Sequence, residues 1–269
     1  MAAPQHLRKG DRPSWEGRAA APKARGARLL ELDPELGSRI PPERETEARA
    51  ALVARTIVVQ RGRWEPPGAV DPRHIGFLVL NGLLARDVVL AGTTCTELFG
   101  EGDLLDPLTA SGDDSLVHHR VVWHVLEPLQ VAVLDEYFSR SMLAWPQVMR
   151  ALLERALRCA RRSSIHAALL QLSPVETRLL VLFWYLAERW GCVTPRGVRL
   201  RLRLSHETLG HLVGCQRASV TTALGHLADS DLLVRRNDRT WELRGRPPDE
   251  MTAIYRGSRL ALTGGTSAA

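Results

Sequence analysis

The segment spanning residues 198–243 has the most restrictive pattern in this chain of 269 residues. It opens with an alternating strand at 198–204, and Ser205 then supplies an N-cap for a short helix with the sequence HETLGHLVG. Gly214 can adopt the left-handed turn that ends this helix, and a second helix is predicted over 216–230. Two short helices joined by a glycine-containing turn form a helix-turn-helix.

The second predicted helix has one apolar face, because hydrophobic residues recur at helical spacing at Val220, Ala223, Leu224 and Leu227. Two short strands at 232–236 and 240–243, joined at Asn237 and Asp238, add a wing. The polar residues at the start of the helix and the arginines of the wing can contact base edges and phosphates. The DNA contacts predicted on this basis are Ser205, Gln216, Arg217, Ser219, Thr221, Thr222, Arg235, Arg236 and Arg239.

The charge of the chain favours a nucleic-acid partner. Its 36 basic residues against 30 acidic ones give a net charge of +6, and Lys9 and Lys23 are the only lysines. Arginine is suited to bidentate contact with phosphate or guanine. Between residues 173 and 245, eleven arginines stand against seven acidic residues, so the excess lies in the helix-turn-helix segment.

The first half of the chain has a β pattern. Residues 1–28 are predicted to be a flexible basic arm, and helical stretches follow at 29–36 and 43–53. Between residues 56 and 134, short β-branched runs alternate with Gly, Pro or Asp; the segments that contain them are TIVVQRG, IGFLVLNG, DVVLAG, HHRVVWHVLE and LQVAVLD. Strands of this length predict an antiparallel sandwich or small barrel.

A long helix is predicted after the strands, beginning at Pro146 and running to about residue 170. One apolar stripe on a helix of this length requires a partner, and we expect the β domain on one side and a twin helix on the other. The alternative is a helix that packs only within its own chain. The predicted dimer interface comprises Met149, Leu152, Leu153, Ala156, Leu157 and Ala160.

Several classes of protein are excluded by missing patterns. Cys95, Cys159, Cys192 and Cys215 lie too far apart for a zinc, iron–sulfur or disulfide framework, so no metal site is predicted. The first residues contain no apolar signal core, and no apolar run elsewhere has the length of a membrane span, so we expect a cytoplasmic protein without a membrane partner. No nucleophile elbow, P-loop or H-E-x-x-H motif occurs, and an enzyme is not expected.

The stretch LSHETLGHLVGCQRASVTTALGHLADSDLL resembles the helix-turn-helix of the Crp/Fnr family, the bacterial transcription regulators related to the cyclic AMP receptor protein and FNR. The shared features are the E-x-(I/L)-G first helix, the V-G-C turn, the (S/Q)-R-x-(S/T)-V start of the second helix and the L-x-x-x-x-L-(I/L) exit. A weaker similarity in IGFLVLNGLLAR and ELFGEGDLLDPL extends the resemblance over residues 29–245. It implies an α+β chain with an N-terminal antiparallel β-roll of the cyclic-nucleotide-binding type, a long dimerisation helix and a C-terminal winged helix-turn-helix.

The resemblance also implies a homodimer that binds a two-fold symmetric DNA site with two recognition helices. Arg217 then occupies the family's guanine-contacting position. Ala218 stands where the family often has Glu, and Thr222 replaces a basic contact, so a different half-site is expected. Ala218 is therefore added to the predicted contacts, through a thymine methyl group. RNA polymerase is the implied partner of an activator.

The effector half departs from the family's cyclic-nucleotide cassette. Asp106-Pro107 stands at the Gly-Glu place, and Asp113 and Asp114 put negative charge where a phosphate would lie. No cofactor is therefore predicted, and a cyclic nucleotide is disfavoured, although a different small-molecule effector remains open. The candidate ligand residues implied by position are His119, Arg120, Ser163 and Ser164, with polar interface packing as the alternative for the serines. A haem or metal at His118, His119 and His124 is disfavoured, because clustered strand histidines are usually solvated.

The predicted organisation has five parts: an arm at 1–28, a β-roll at 29–140, the long helix at 141–172, a winged helix-turn-helix at 173–246 and a tail at 247–269. The predicted function is sequence-specific regulation of transcription without dependence on cyclic AMP. The alternatives are a ligand- or partner-sensing module and an architectural protein that coats DNA with little specificity.

Overall fold

The computed structural model describes residues 25–67, 74–106, 117–248 and 251. Most of the predicted basic arm, residues 1–24, lies outside this range. Its last four residues are an exception to the prediction, because they form strand β1 (Arg25–Arg28), which pairs antiparallel with β2 (Val53–Val59). Pairing with Val53 to Thr56 satisfies the backbone of this segment, so it belongs to the sheet.

A seven-stranded antiparallel sheet forms the N-terminal half of the described chain. Its hydrogen-bonded order is β1-β2-β7-β4-β5, with β3 also on β7 and β6 also on β4. The other strands are β3 (Gly62–Trp64), β4 (Gly76–Leu90), β5 (Thr93–Gly100), β6 (Leu104–Leu105) and β7 (Arg120–Leu134). The antiparallel β domain predicted from the sequence is confirmed.

Strands β4 and β7 are each one strand of 15 residues, where the sequence pattern predicted two shorter ones. Gly82 does not end β4, because pairing with β7 continues on both sides of it. It adopts a φ of +99° at a point where the register of the β4–β7 pair shifts. A Cβ atom there would lie 2.3 Å from the carbonyl oxygen of Pro128. The glycine and the proline thus mark an irregularity inside a continuous strand pair.

Helices surround the sheet. They are α1 (Leu29–Leu32), which is followed by a 3₁₀ turn (Pro34–Gly37), then α2 (Pro42–Ala51), α3 (Glu136–Met142) and α4 (Pro146–Leu169). Pro146 is the first residue of α4, as predicted. The first half of α4 packs through Val148 and Leu152 into a core shared with α1, α2 and α3.

The C-terminal half contains α5 (Val175–Trp190), α6 (His206–Val213) and α7 (Arg217–Asp229). A four-stranded sheet in the order β10-β11-β9-β8 accompanies them. Its strands are β8 (Gly191–Thr194), β9 (Gly197–Leu200), β10 (Leu233–Arg235) and β11 (Trp241–Leu243). The predicted strand at 198–204 is shorter than expected, and β8 was missed because Gly191 begins a strand directly after α5.

Within the residues that the structure describes, no helix combines the length and apolar character needed to cross a bilayer.

Candidate nucleic-acid interface

The first helix of the helix-turn-helix is held by local interactions that the sequence predicts. The Ser205 hydroxyl accepts a hydrogen bond from the Thr208 amide at 3.0 Å, which satisfies one of the free N–H groups at the start of α6. Gly214 ends the helix with a φ of +65°. Gly210 lets the turn fold back, since a Cβ atom there would lie 2.6 Å from the carbonyl oxygen of Cys215. Ser205 thus defines where α6 begins, and Gly210 and Gly214 shape the turn that leads into α7.

Helix α7 presents a continuous polar surface at its N-terminal end. Val220, Ala223, Leu224 and Leu227 are buried against the domain core. All of the contacts predicted on this helix and its N-cap are exposed: Gln216, Arg217, Ala218, Ser219, Thr221 and Thr222. Helix dipole and free amide groups make this same end attractive to phosphate.

His206 is a residue of this surface that sequence reasoning missed. Its Nδ1 atom lies 2.9 Å from the Thr221 hydroxyl, which itself donates to the carbonyl oxygen of Arg217. Burial lowers the pKa of His206, and the positive charges of Arg235 and Arg217 lower it further. Because the Thr221 proton is used on Arg217, a neutral His206 must donate from Nδ1 to Thr221. The first position of α6 therefore positions a side chain of the recognition helix.

The wing has shorter strands than the sequence predicted, since β10 ends at Arg235 and β11 begins at Trp241. Its tip still has the predicted extent, residues 237–239, because the Arg236 amide donates to the carbonyl oxygen of Thr240 at 2.9 Å. Asp238 organises it by accepting hydrogen bonds from the amide of Thr240 at 3.0 Å and from its hydroxyl at 2.6 Å. These bonds lower the pKa of Asp238. Arg239 adopts a φ of +66° and is exposed at the tip.

The three predicted wing arginines have different environments. Arg235 is exposed, with its guanidinium 5.3 Å from the ring centre of Trp241. Arg236 is a correction to the prediction, because it is partly buried and forms an ion pair with Glu242. Glu242 is 1% exposed and also contacts Arg244 at 3.1 Å. A guanidinium needed to neutralise a buried carboxylate is not free to follow a phosphate backbone.

Two further exposed arginines precede α6. Between residues 201 and 205, the buried residues Leu202 and Leu204 alternate with the exposed residues Arg201, Arg203 and Ser205. A period of two places these three exposed side chains on one side of the chain. The repeat LRLRL carried this signal in the sequence, but it was interpreted only as a strand.

The candidate ligand residues of the effector half do not come together in one pocket. The Ser163 hydroxyl donates to Glu97 at 2.6 Å, and the Ser164 hydroxyl donates to the carbonyl oxygen of Ala160 at 3.2 Å. His119 and Arg120 are exposed at the start of β7, where Arg120 pairs with Val89. The cassette positions from Pro107 to Asp114 lie outside the described residues.

The predicted dimer stripe on α4 divides into two sets. Leu152 is a correction, because it is 4% exposed and packs into the core of its own chain. The remaining five residues are exposed: Met149, Leu153, Ala156, Leu157 and Ala160. The predicted stripe therefore included one residue of the inward face, because Leu152 is buried beside Val148 and Arg155.

Among the described residues, no group of three His, Cys, Asp or Glu side chains is arranged to hold a metal ion.

Comparison with known proteins agrees with this geometry. The family model of the Crp-like helix-turn-helix domain matches residues 177–246. The global nitrogen regulator of Synechococcus elongatus is 22% identical over 171 residues, which cover 61% of this chain and 74% of that protein.

Two solved structures share the fold. A mutant of CooA from Carboxydothermus hydrogenoformans has a TM-score of 0.59 and 18% identity, covering 84% of this chain and 95% of its own. A CRP/FNR family transcriptional regulator from Thermus thermophilus has a TM-score of 0.53 and 19% identity, covering 71% of this chain and 93% of its own.

The fold and the exposed recognition helix define a winged helix-turn-helix DNA-binding protein with an antiparallel β domain ahead of it. More particularly, residues 177–246 match the family model of the Crp-like helix-turn-helix domain, as the motif in the sequence predicted. The compared proteins from Synechococcus elongatus and Thermus thermophilus are both named as regulators.

Proposed function

We propose that this chain is a homodimeric regulator that recognises a two-fold symmetric DNA site through α7, without cyclic AMP. The observation that carries the proposal is the exposed N-terminal face of α7, with Arg217 at its start. In the described part of the chain the Arg217 guanidinium has no ion-pair partner, so its N–H groups are available for a guanine. Ala218, Ser219 and Thr222 complete a surface of small residues beside it.

The dimer is supported by the outer face of α4. Leu153 and Leu157 are 58% and 57% exposed, and Met149 is 41% exposed, although all three are large and apolar. They lie at helical spacing with Ala156 and Ala160, whose small side chains allow close approach of a second helix. A second copy of α4 is the partner that a two-fold symmetric regulator supplies.

Independence from cyclic AMP is supported by the residues that replace the cassette and by a hydrogen bond that Ser163 of α4 makes to Glu97. Asp106-Pro107 lacks the Gly-Glu pair, and Ser163 is already occupied by Glu97. The Glu97 carboxylate is partly buried, and burial raises its pKa. The charge of Arg86 and the Ser163 hydrogen bond more than offset this effect, so the pKa lies below the ordinary value. An ionised Glu97 at this place repels an anionic ligand.

The proposed organisation keeps the β-roll at 29–140, the long helix at 141–172 and the DNA-binding domain at 173–246, between an arm and a tail. We further propose that the protein acts in the cytoplasm, and that it contacts RNA polymerase where its site lies beside a promoter.

Selection from a random duplex pool by the purified ligand-free protein tests this function. Wild type is expected to enrich a two-fold symmetric motif, and Arg217→Ala is expected to lose about 1 to 3 kcal/mol of discrimination at one base pair of each half-site. Arg61→Ala is the matched control, since Arg61 is exposed in the β domain. A wild type that binds every sequence equally would instead support an architectural protein that coats DNA.

Sedimentation equilibrium tests the dimer. Leu153→Glu places a charge in the centre of the proposed interface and is expected to give a folded monomer with weak DNA binding. Val193→Glu is the matched control, because Val193 is 85% exposed on β8 and lies away from α4. A Leu153→Glu protein that sediments as wild type would refute this interface.

A further inference from the structure

Positive charge from three elements meets at one histidine beside the recognition helix. His206 begins α6, Arg217 begins α7 and Arg235 ends β10. Burial lowers the pKa of His206, and the charges of Arg235 and Arg217 lower it further, so both guanidinium groups lie close enough to act on the ring. Neither arginine has an ion-pair partner among the described residues. A cluster of like charges without a counter-charge is unfavourable, and an anion is its natural complement.

The other charged groups near His206 do not supply this anion. Arg203, which precedes α6, is positive and exposed, and Glu207, the next residue of α6, is exposed to solvent. The first turn of α7 contains no acidic residue. In the wing, Asp238 and Glu242 are already held by hydrogen bonds and ion pairs within the DNA-binding domain.

The hydrogen bonds of His206 determine which of its nitrogen atoms can contact an anion. Nδ1 lies 2.9 Å from the Thr221 hydroxyl, whose own proton is donated to the carbonyl oxygen of Arg217. Nδ1 is therefore the donor of the neutral ring, and Nε2 carries a lone pair without a proton. Within the part of the chain that the structure describes, Nε2 has no hydrogen-bond partner, and the residue is partly exposed. An ionised phosphate only accepts hydrogen bonds, so Nε2 can bind one only after it has gained a proton.

We propose that His206 and Arg235 bind one backbone phosphate of DNA, and that the Nε2 atom of His206 takes up a proton from solvent as this contact forms. Arg217 stays available for a base edge, because Thr221 occupies its carbonyl oxygen and not its guanidinium. The charge of the phosphate opposes that of the two arginines and favours the imidazolium form. The inference rests on the proposed function for the placement of α7 on DNA. It makes DNA binding stronger as the pH falls, because the complex holds more protons than the free protein.

Fluorescence anisotropy with a labelled duplex of random sequence, at constant ionic strength between pH 8 and pH 6, tests the contact. A phosphate contact does not depend on base sequence, so this probe serves whether or not the protein selects a motif. The affinity of the wild type is expected to rise about fivefold or more per protomer over this range. Calorimetry at pH 6.5 in buffers of different ionisation enthalpy is expected to show uptake of about half a proton or more per protomer.

Two substitutions separate the nitrogen atoms of the ring. His206→Asn places an NH₂ group near Nδ1, which keeps the bond to Thr221 and removes Nε2, so it is expected to lose most of the gain in affinity at pH 6. His206→Gln places a neutral NH₂ donor near Nε2 and is expected to bind DNA about as tightly at pH 8 as at pH 6. His124→Asn is the matched control, since His124 lies beside Asp87 in the β domain, and it is expected to keep the pH dependence of the wild type.

The contact is refuted if His206→Asn and the wild type gain affinity equally as the pH falls, or if both take up the same number of protons. These results are separable from those on sequence recognition. A gain that depends on His206 in a protein that enriches no DNA motif would keep the phosphate contact and refute the sequence recognition proposed above. An enriched motif that the wild type and His206→Asn bind with equal gain would do the reverse.

Discussion

Replacing Asp103 by Asn tests whether one buried carboxylate connects the three parts of the chain. Asp103 lies in the turn between β5 and β6, where it also accepts a hydrogen bond from the amide of Gly100 at 2.9 Å. Its arginine partners belong to α4 and α5. Arg189 additionally donates to the carbonyl oxygen of Glu101 at 2.5 Å, so α5 is joined to this turn twice. The substitution keeps the shape of the side chain, removes its charge and replaces one acceptor oxygen by an NH₂ donor.

The expected loss is about 2 to 3 kcal/mol of unfolding free energy. Removing one partner of a fully buried ion pair costs about 3 to 5 kcal/mol. The figure is reduced here because the side chains of Arg162 and Arg189 are 31% and 24% exposed, so water can replace part of what they lose. Asn can satisfy one set of donors with its carbonyl oxygen, but its NH₂ group then faces an arginine N–H.

Urea unfolding followed by circular dichroism and tryptophan fluorescence measures this loss, as a midpoint lowered by about 1 M for a slope near 2 to 3 kcal/mol per molar. Glu101→Gln is the matched control, since Glu101 is exposed in the same turn and its change should stay within about 0.5 kcal/mol. Asp103→Asn combined with Arg189→Gln should be less than additive by about 1 kcal/mol or more. An Asp103→Asn protein as stable as the Glu101→Gln control, or strict additivity, would refute the connection.

Three further outcomes follow from local geometry. Gly214→Ala should lower the unfolding free energy by about 1 kcal/mol, because the residue at this position has a φ of +65°. Gly225→Ala is the control, since a Cβ atom there lies in open space on α7 and should not lower the unfolding free energy. Equal losses in the two variants would show that the left-handed backbone conformation at position 214 does not require glycine. Burial raises the pKa of Glu242, but Arg236 and Arg244 lower it more, to below the ordinary 4.5. The ion pairs of Glu242 therefore stabilise the fold above pH 4.5, and this stabilisation is lost as the pH falls through the lower pKa of the folded state. The amount by which Glu242→Gln lowers the melting temperature should thus be large at pH 7 and smaller at about pH 3. A difference in melting temperature that does not depend on pH would count against the ion pairs. In salt titrations of DNA binding, Arg239→Gln should reduce the slope by about 1 per protomer without a change in melting temperature, and Arg236→Gln should show the opposite pattern.

The sequence was most informative where a short-range rule determines the structure. Ser205 caps α6, Gly214 ends it and Pro146 begins α4, because each of these roles depends on the residue itself and its near neighbours. The strand boundaries were less predictable. Gly82 was interpreted as a strand end, but β4 continues through it because pairing with β7 extends on both sides. That pairing is a long-range contact, which a local pattern does not contain.

The candidate site was only partly predictable for the same reason. The exposed positions of α7 followed from helical periodicity, which one turn of sequence defines. Whether an arginine is free depends instead on which carboxylate the fold brings near it. Arg236 meets Glu242 across the wing, and no spacing rule distinguishes it from Arg235 or Arg239. His206 reaches Thr221 only because α6 and α7 cross at that point.

Several arginines of the DNA-binding domain form hydrogen bonds or ion pairs within the protein. Arg178 donates to the carbonyl oxygens of Leu172 and Val213, and other arginines are bound to Asp103 and Glu242, so these side chains hold parts of the protein together. An arginine excess counted along residues 173–245 therefore does not give the number of phosphate contacts. Six arginines of residues 173–245 are exposed and have no ion pair among the described residues: Arg196 in the turn between β8 and β9, Arg201 and Arg203 before α6, Arg217 at the start of α7, and Arg235 and Arg239 of the wing. Because structural arginines are used elsewhere, most of the remaining charge lies in the residues before α6, the start of α7 and the wing, where an electrostatic footprint and base recognition can act on the same stretch of DNA.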